Sequence, residues 1–203
     1  INKAVDDFLG GTGTYRLEKP LRCNYLSSGN NHAQIQRVPQ YSSCNVTGTL
    51  TPISAWNGTW GGLFAAMCNS NMTVSGSINV NALGFRGGLG DGDDWAWTGE
   101  GDLSPSIRRN IQNPPGNGGG ANHVSSAGGG NGTPGISGGE GTVGDAAGTA
   151  DLSTMVFGGG GGGAGVSTNA GSGGNGGGAI VLIAKSLTVT GSVSANGGAG
   201  QSV

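Results

Sequence analysis

The chain has 203 residues, 47 of them Gly and 7 Pro, with 9 Lys+Arg against 11 Asp+Glu for a net charge of −2. So little charge, and none of it a basic surplus, excludes the phosphate-tracking footprint of a nucleic-acid binder. The longest apolar run, residues 179–184, is far short of the roughly 18 to 20 residues a membrane-spanning helix needs. Only 34 % of the residues are hydrophobic, so the aliphatic core is thin and something besides bulky side chains must hold the fold together. The chain starts at Ile1 rather than Met, which reads as a processed product or an excised fragment.

Taken in chain order, residues 1–85 read as β structure, with Tyr, Thr, Val and Ile segments broken by turn signals such as Ser28-Gly29-Asn30-Asn31. Helical periodicity is nearly absent. Residues 2–9 and 62–68 are the only helix candidates, each short and uncapped. Cys23, Cys44 and Cys68 lie too far apart for a zinc site and form no Cys-x-x-Cys pair. One disulfide with one thiol left over is the natural reading, with the pairing open; in an oxidising compartment the odd thiol is either buried or paired between chains.

An internal repeat carries the most information. Val46-Thr47-Gly48-Thr49-Leu50, Val74-Ser75-Gly76-Ser77-Ile78 and Val189-Thr190-Gly191-Ser192-Val193 are one pentad of aliphatic, hydroxyl, Gly, hydroxyl, aliphatic. Alternation along a strand puts Met72, Val74, Ile78 and Val80 on one side, and Thr73, Ser75, Ser77 and Asn79 on the other. In the last copy Leu187, Val189, Val193 and Ala195 are expected to face inward in the same way. The Gly falls on the apolar face of every copy, which marks close approach by another backbone or a bulky ring. The copies are unevenly spaced, so equal rungs are not expected, but strands stacked or paired as equivalents are.

Between the second and third pentads the composition shifts: residues 116–178 hold 27 of the 47 Gly. A flexible linker is one reading of such a stretch. Against it, both ends feed strand-like sequence, and a loop of this length without structure does not suit a compact domain. No strict Gly-x-y period runs through it, which excludes collagen. The ordered alternative is a bundle of left-handed, three-residue-per-turn helices packed through Gly faces, with residues 158–163 the best candidate.

Chemistry-bearing motifs are few. Lys185-Ser186 lacks the preceding Gly of a phosphate-binding loop, and no Gly-x-Gly-x-x-Gly lies between a strand and a helix. His32 and His123 have no Gly-x-Ser-x-Gly elbow beside them. Asp91, Asp93 and Asp94 place hard oxygen ligands close together in a Gly-containing loop, making calcium the one candidate cofactor, against the plainer reading of a solvated acidic loop. Trp95 and Trp97 would project from the same face of an extended segment, as core packing or as aromatic contacts for a sugar. Asn45, Asn57 and Asn71 head Asn-x-Ser/Thr sequences and are glycosylation candidates; Asn131 heads a fourth, weakened by Pro134.

Leu50-Thr51-Pro52, Trp56-Asn57-Gly58-Thr59, Gly84-Phe85-Arg86-Gly87-Gly88, Gly99-Glu100-Gly101, the run at 158–165 and Gly174-Asn175-Gly176-Gly177-Gly178-Ala179 follow one another in a specific order. Over residues 45–200 this order resembles a family of glycine-rich bacterial surface and phage tail-fibre, adhesin-like proteins. The resemblance implies a location outside the cell or on the cell or virion surface, and it implies no catalytic residue. The expectation is thus an all-β protein, a glycine-rich β-sandwich or β-helix-like domain over 45–203 with a polyglycine-II-like or loop-rich insertion at 116–178, and an N-terminal assembly or connecting segment over 1–44. Its expected role is non-enzymatic: a self-assembling subunit of a fibre or filament whose partners are copies of itself, with residues 14–21 completing a neighbour's sheet. The alternative is a fibre tip or adhesin that holds a surface glycan through residues 91–97.

Overall fold

The computed structural model describes residues 20, 33–91, 96–103, 114–122, 125–165 and 170–202. Among these residues nine strands follow one another: β1 (Gln40–Tyr41), β2 (Cys44–Val46), β3 (Thr49–Leu50), β4 (Leu63–Val74), β5 (Ser77–Asn79), β6 (Gly171–Ser172), β7 (Ala179–Val189), β8 (Ser192–Ser194) and β9 (Gln201–Ser202). In the first sheet β4 is central, with β1 and β2 on one edge and β7 on the other, all parallel. In the second, β3, β5 and β8 pair in that order, also parallel.

Each pass of the chain therefore contributes one strand to each sheet and turns between them at a pentad. Val46, Val74 and Val189 share one register line, and Thr49, Ser77 and Ser192 share another. The pentads are stacked corners. Their Gly residues explain the sharp turn and the close stacking together: a Cβ on Gly76 or Gly191 would come closer than 3.0 Å to the carbonyl oxygen of the corner before it, Gly48 O or Gly76 O. The β4–β7 pairing shifts register between Cys68 and Asn71, three steps of β4 standing against two of β7, and Cys68, Met72 and Val74 on β4 share one core cluster.

That cluster is Ala66, Cys68, Met72, Val74 and Ile78, with Cys44, Val46, Phe64, Ile180, Leu182 and Ala184 packed against it. Cys44 and Cys68 form a disulfide between neighbouring parallel strands, with 6.1 Å between their Cα atoms. Closing 24 residues of chain in this way constrains the unfolded state by about 3 kcal/mol.

Outside the strands the backbone is ordered on a different principle. Segment 157–165 donates with period three. Gly158, Gly161 and Ala164 donate to Gly177, Gly174 and Gly171 at 2.9, 2.9 and 2.8 Å; Gly159 and Gly162 to Gly130 and Ala127 at 2.8 and 2.9 Å; Gly160 and Gly163 to Glu100 and Trp97 at 2.9 and 2.8 Å. Its carbonyls accept with the same period, from Phe85 and Gly88 on one side and from Gly119 and Asn122 on another. Three residues per turn is polyproline II geometry, which has no internal hydrogen bonds and so must satisfy each amide on a neighbour. Among the described residues this segment is surrounded by five others: 85–88, 97–100, 117–122, 127–130 and 171–177.

The expected all-β sandwich or β-helix-like domain is corrected by these findings. The described strands pair parallel in small sheets, except for the two-residue antiparallel pair β6–β9, and much of the described chain is three-residue-period lattice rather than strand. Segments 85–88 and 97–100, which precede the Gly-rich stretch 116–178, belong to the same lattice. The helix expected over 62–68 is the first half of β4. Ala65 and Ala66 are both buried there, on opposite faces of a central strand, and burial on two sides overrides the helix preference of Leu, Ala and Met.

Candidate assembly surface

Strand pairs in parallel register put equivalent side chains on one face, so the core is built of columns. Cys44, Met72 and Leu187 form one, Val46, Val74 and Val189 a second, and Leu50, Ile78 and Val193 a third. The middle members Met72, Val74 and Ile78 are 1 %, 0 % and 0 % exposed; Leu187, Val189 and Val193 are 48 %, 44 % and 40 % exposed, and Leu50 at the opposite end 40 %. The columns reach the surface along the whole β7–β8 end, while at the β2–β3 end Leu50 is exposed and Cys44 and Val46 are half-buried.

The two ends differ in shape. At the β2–β3 end an apolar cavity of about 430 Å³ opens between the strands, lined by Tyr41, Val46, Leu50, Phe64, Met72 and Ile78 among others. At the β7–β8 end Leu187, Val189 and Val193 project, joined by Ile183 farther along β7. Among the described residues β7 pairs only with β4 and β8 only with β5, so one long and one short strand edge face outward. Open edges bordered by apolar side chains are templates for further strand pairing.

A second feature joins the stack to the lattice. Glu100, fully buried, accepts at Oε2 from Trp56 Nε1 (2.9 Å), Arg86 N (3.1 Å) and Arg86 Nε (3.1 Å), and at Oε1 from Arg86 Nη2 (3.2 Å). Trp56 also packs on Phe85 and Phe157, with ring centroids 6.1 and 5.5 Å away. Glu100 is withdrawn from water while the Arg86 side chain stays 36 % exposed, so removing Arg86 would leave a buried carboxylate without its ionic partner. Asn117 is likewise buried and satisfied: Nδ2 donates to Gly130 O and Phe157 O, while Oδ1 accepts from Asp102 N, and Asn117 N donates to Asp102 Oδ1. Sequence reasoning missed both groups. The available signal was their setting, single polar residues flanked by glycines, where a side chain can enter the lattice only if its hydrogen bonds are met.

The candidate residues read from sequence fall as follows. Cys44 and Cys68 pair, and Cys23 lies outside the described residues. Asp91 is half-buried and engaged with its surroundings; Asp93, Asp94 and Trp95 lie outside the described residues, as do His32, His123, residues 2–9 and, of the segment 14–21, all but Pro20. Among the described residues no group of three His, Cys, Asp or Glu side chains converges on a common point. Trp97 is half-buried and bound into the lattice through its backbone, donating to Leu89 O (3.0 Å) and accepting from Gly163 N (2.8 Å). Asn45, Asn57 and Asn71 are exposed; Asn57 Oδ1 accepts from the amides of Thr59 and Trp60. The expected boundary after residue 44 falls inside β2.

A cavity of about 570 Å³ lies among the lattice segments, and its lining of Gly backbone with Ser126, Ser137, Ser172, Asn175 and Gln201 offers amides, hydroxyls and carboxamides. No described helix is long and apolar enough to cross a membrane. No family model, curated protein or solved structure matches the chain.

Proposed function

We propose that this chain is a structural protein, a self-assembling subunit of a fibre or filament with a surface or adhesive role outside the cell or on a virion. The observation that supports the reading is the open core: three apolar columns buried to 0–1 % in the middle layer and exposed by 40–48 % in the β7–β8 layer. Stacked-repeat architectures close their ends with polar capping units, and an uncapped end is stabilised by the next layer. A copy offers that layer directly, because its own ends carry the same pentad in the same strand pairing. Two different ends meeting head to tail build an open chain of subunits rather than a closed pair. The resemblance to glycine-rich surface and tail-fibre proteins suits this reading and supplies the proposed location.

The test is sedimentation velocity across a concentration series, with negative-stain electron microscopy of the same samples. Polymers that lengthen with concentration are expected. A chain that stays a monomer at every concentration removes the proposal, and discrete particles that bind a glycan would replace it with the adhesin.

A further inference from the structure

The three pentad glycines are not equivalent, and the odd one points to the joint. A Cβ on Gly191 would run into Gly76 O, and one on Gly76 into Gly48 O, whereas a Cβ on Gly48 would meet none of the described residues within 4 Å. In each corner the missing side chain points toward the preceding layer. Gly48 therefore holds the vacancy that a preceding corner fills elsewhere in the stack, although no described residue of the chain requires Gly there.

The backbone pairing repeats in the same way. Val46 O accepts from Ser75 N (2.9 Å) and Gly76 N (2.8 Å), and Val74 O accepts from Thr190 N (2.9 Å) and Gly191 N (3.0 Å). Gly48 O accepts from Ser77 N (2.9 Å), and Gly76 O from Ser192 N (2.9 Å). The series ends with Val189 O and Gly191 O on one side, and begins with the amides of Thr47, Gly48 and Thr49 on the other. No described group is bonded to either set. The two acceptors at one end thus match the three donors at the other in order, with Val189 O able to take two amides as Val46 O and Val74 O do.

Resting on the self-assembly reading above, we propose that the joint is polar and in register: the Gly191 corner of one copy seats on the Gly48 corner of the next as a fourth layer. In this joint the amides of Thr47 and Gly48 donate to Val189 O of the preceding copy, and Thr49 N donates to its Gly191 O. Its Leu187, Val189 and Val193 extend the three columns over Cys44, Val46 and Leu50, beside the apolar cavity at that end. Ser192 of the preceding copy stands beside Thr49, as Ser192 stands beside Ser77 within one chain, with a 3.0 Å contact between their hydroxyls. The occupant is a second copy because its end layer carries the pentad this corner already accepts from within the chain.

Two variants test the joint in the full chain, both with Cys23→Ser to remove the odd thiol. In the first, Thr49→Cys is combined with Ser192→Cys. Within one chain these positions are two layers apart, about 9.6 Å, beyond the roughly 7 Å Cα limit of a disulfide, so only a joint between copies brings them together. Oxidation is expected to give a ladder of covalent multimers from the double variant and none from either single variant. The second variant is Gly48→Ala, which is expected to leave the monomer's melting temperature unchanged and to raise the concentration needed for assembly by at least about tenfold. Multimers from a single-cysteine variant would overturn the proposal by showing like ends meeting. Assembly of Gly48→Ala at the wild-type concentration would overturn it too, and so would a lowered monomer melting temperature, which would mean that the chain itself already covers the corner. If the wild type assembles but the double-cysteine variant gives no multimers or either overturning result appears, only the joint is lost; a wild type that never assembles removes the self-assembly reading as well.

Discussion

The strand stack and the glycine lattice solve the same problem with opposite means. In the stack, Met72, Val74 and Ile78 are withdrawn from water and the glycines serve only the corners. In the lattice, side chains are nearly absent and the order comes from backbone amides, with all of those of residues 158–165 bonded to neighbouring segments. Ordering a Gly-rich segment costs more conformational entropy than ordering any other sequence. A single hydrogen bond returns only about 0.5–1.5 kcal/mol net, so the lattice depends on many of them forming together. A stack can end on an exposed layer and wait for a partner, whereas the lattice tolerates a side chain only where there is space for one.

That difference is sharpest at two adjacent residues. A Cβ on Gly160 would fall within 3.0 Å of Arg86 O, in the middle of the lattice, while a Cβ on Gly161 would meet nothing closer than Gly174 N at 3.5 Å. Gly160→Ala should therefore destabilise the protein by more than about 4 kcal/mol, a loss confined to a few severe faults, because what it strikes is backbone and cannot rotate away. Gly161→Ala should be neutral or stabilising by up to about 1 kcal/mol, since Ala restricts the unfolded chain more than Gly does. Denaturant unfolding of the two variants measures both; equal losses would show that the lattice has no such spatial selectivity.

The stack makes the corresponding contrast along one column. Met72→Ala removes a side chain that is 1 % exposed and should cost about 2–5 kcal/mol. Leu187, in register with Met72 but 48 % exposed, should cost less than half as much in the monomer when changed to Ala. Its larger effect should fall on assembly, read by sedimentation. A monomer equally sensitive at both positions would mean that the end layer is covered after all.

The stack was legible because its rule is local: alternation and a fixed Gly position assigned Val74 and Ile78 to the core and marked the corners before any pairing was known. Parallel pairing was not, since three similar pentads do not say which way they run, and the sandwich expected from them was wrong. The choice of Cys44 and Cys68 also needed the register that sets β2 beside β4. In residues 158–163 the glycines allowed three-residue-per-turn geometry, but the five neighbouring segments come from distant parts of the chain and leave no periodic trace in it. The Arg86–Glu100 clamp was hidden for the same reason, its partners being set by tertiary packing. At the assembly surface the apolar residues of the last pentad could be named in advance, while their exposure could not.

Away from both regions, the turn at 149–154 gives the smallest and most local effect. Asp151 is fully exposed, yet its carboxyl is lowered from an ordinary value of 3.8 to about 2 by a hydrogen bond from the Thr149 side chain, then by the amide and hydroxyl of Ser153. Ser153 N and Oγ donate to Asp151 Oδ1 at 3.0 and 2.8 Å, and Thr149 Oγ1 and Ser153 Oγ lie 3.0 Å apart. Because the folded value lies below the unfolded one, the ionised carboxylate holds the turn fully above pH about 4 and releases it as the pH falls through about 2. Neither lattice nor stack contributes to this turn's hydrogen bonds, so hydrogen exchange at the Ser153 and Thr154 amides should quicken relative to core amides over that interval alone. Asp151→Asn, which cannot ionise, should show no such step, and an Asp151 carboxyl resonance titrating near 3.8 would remove the account.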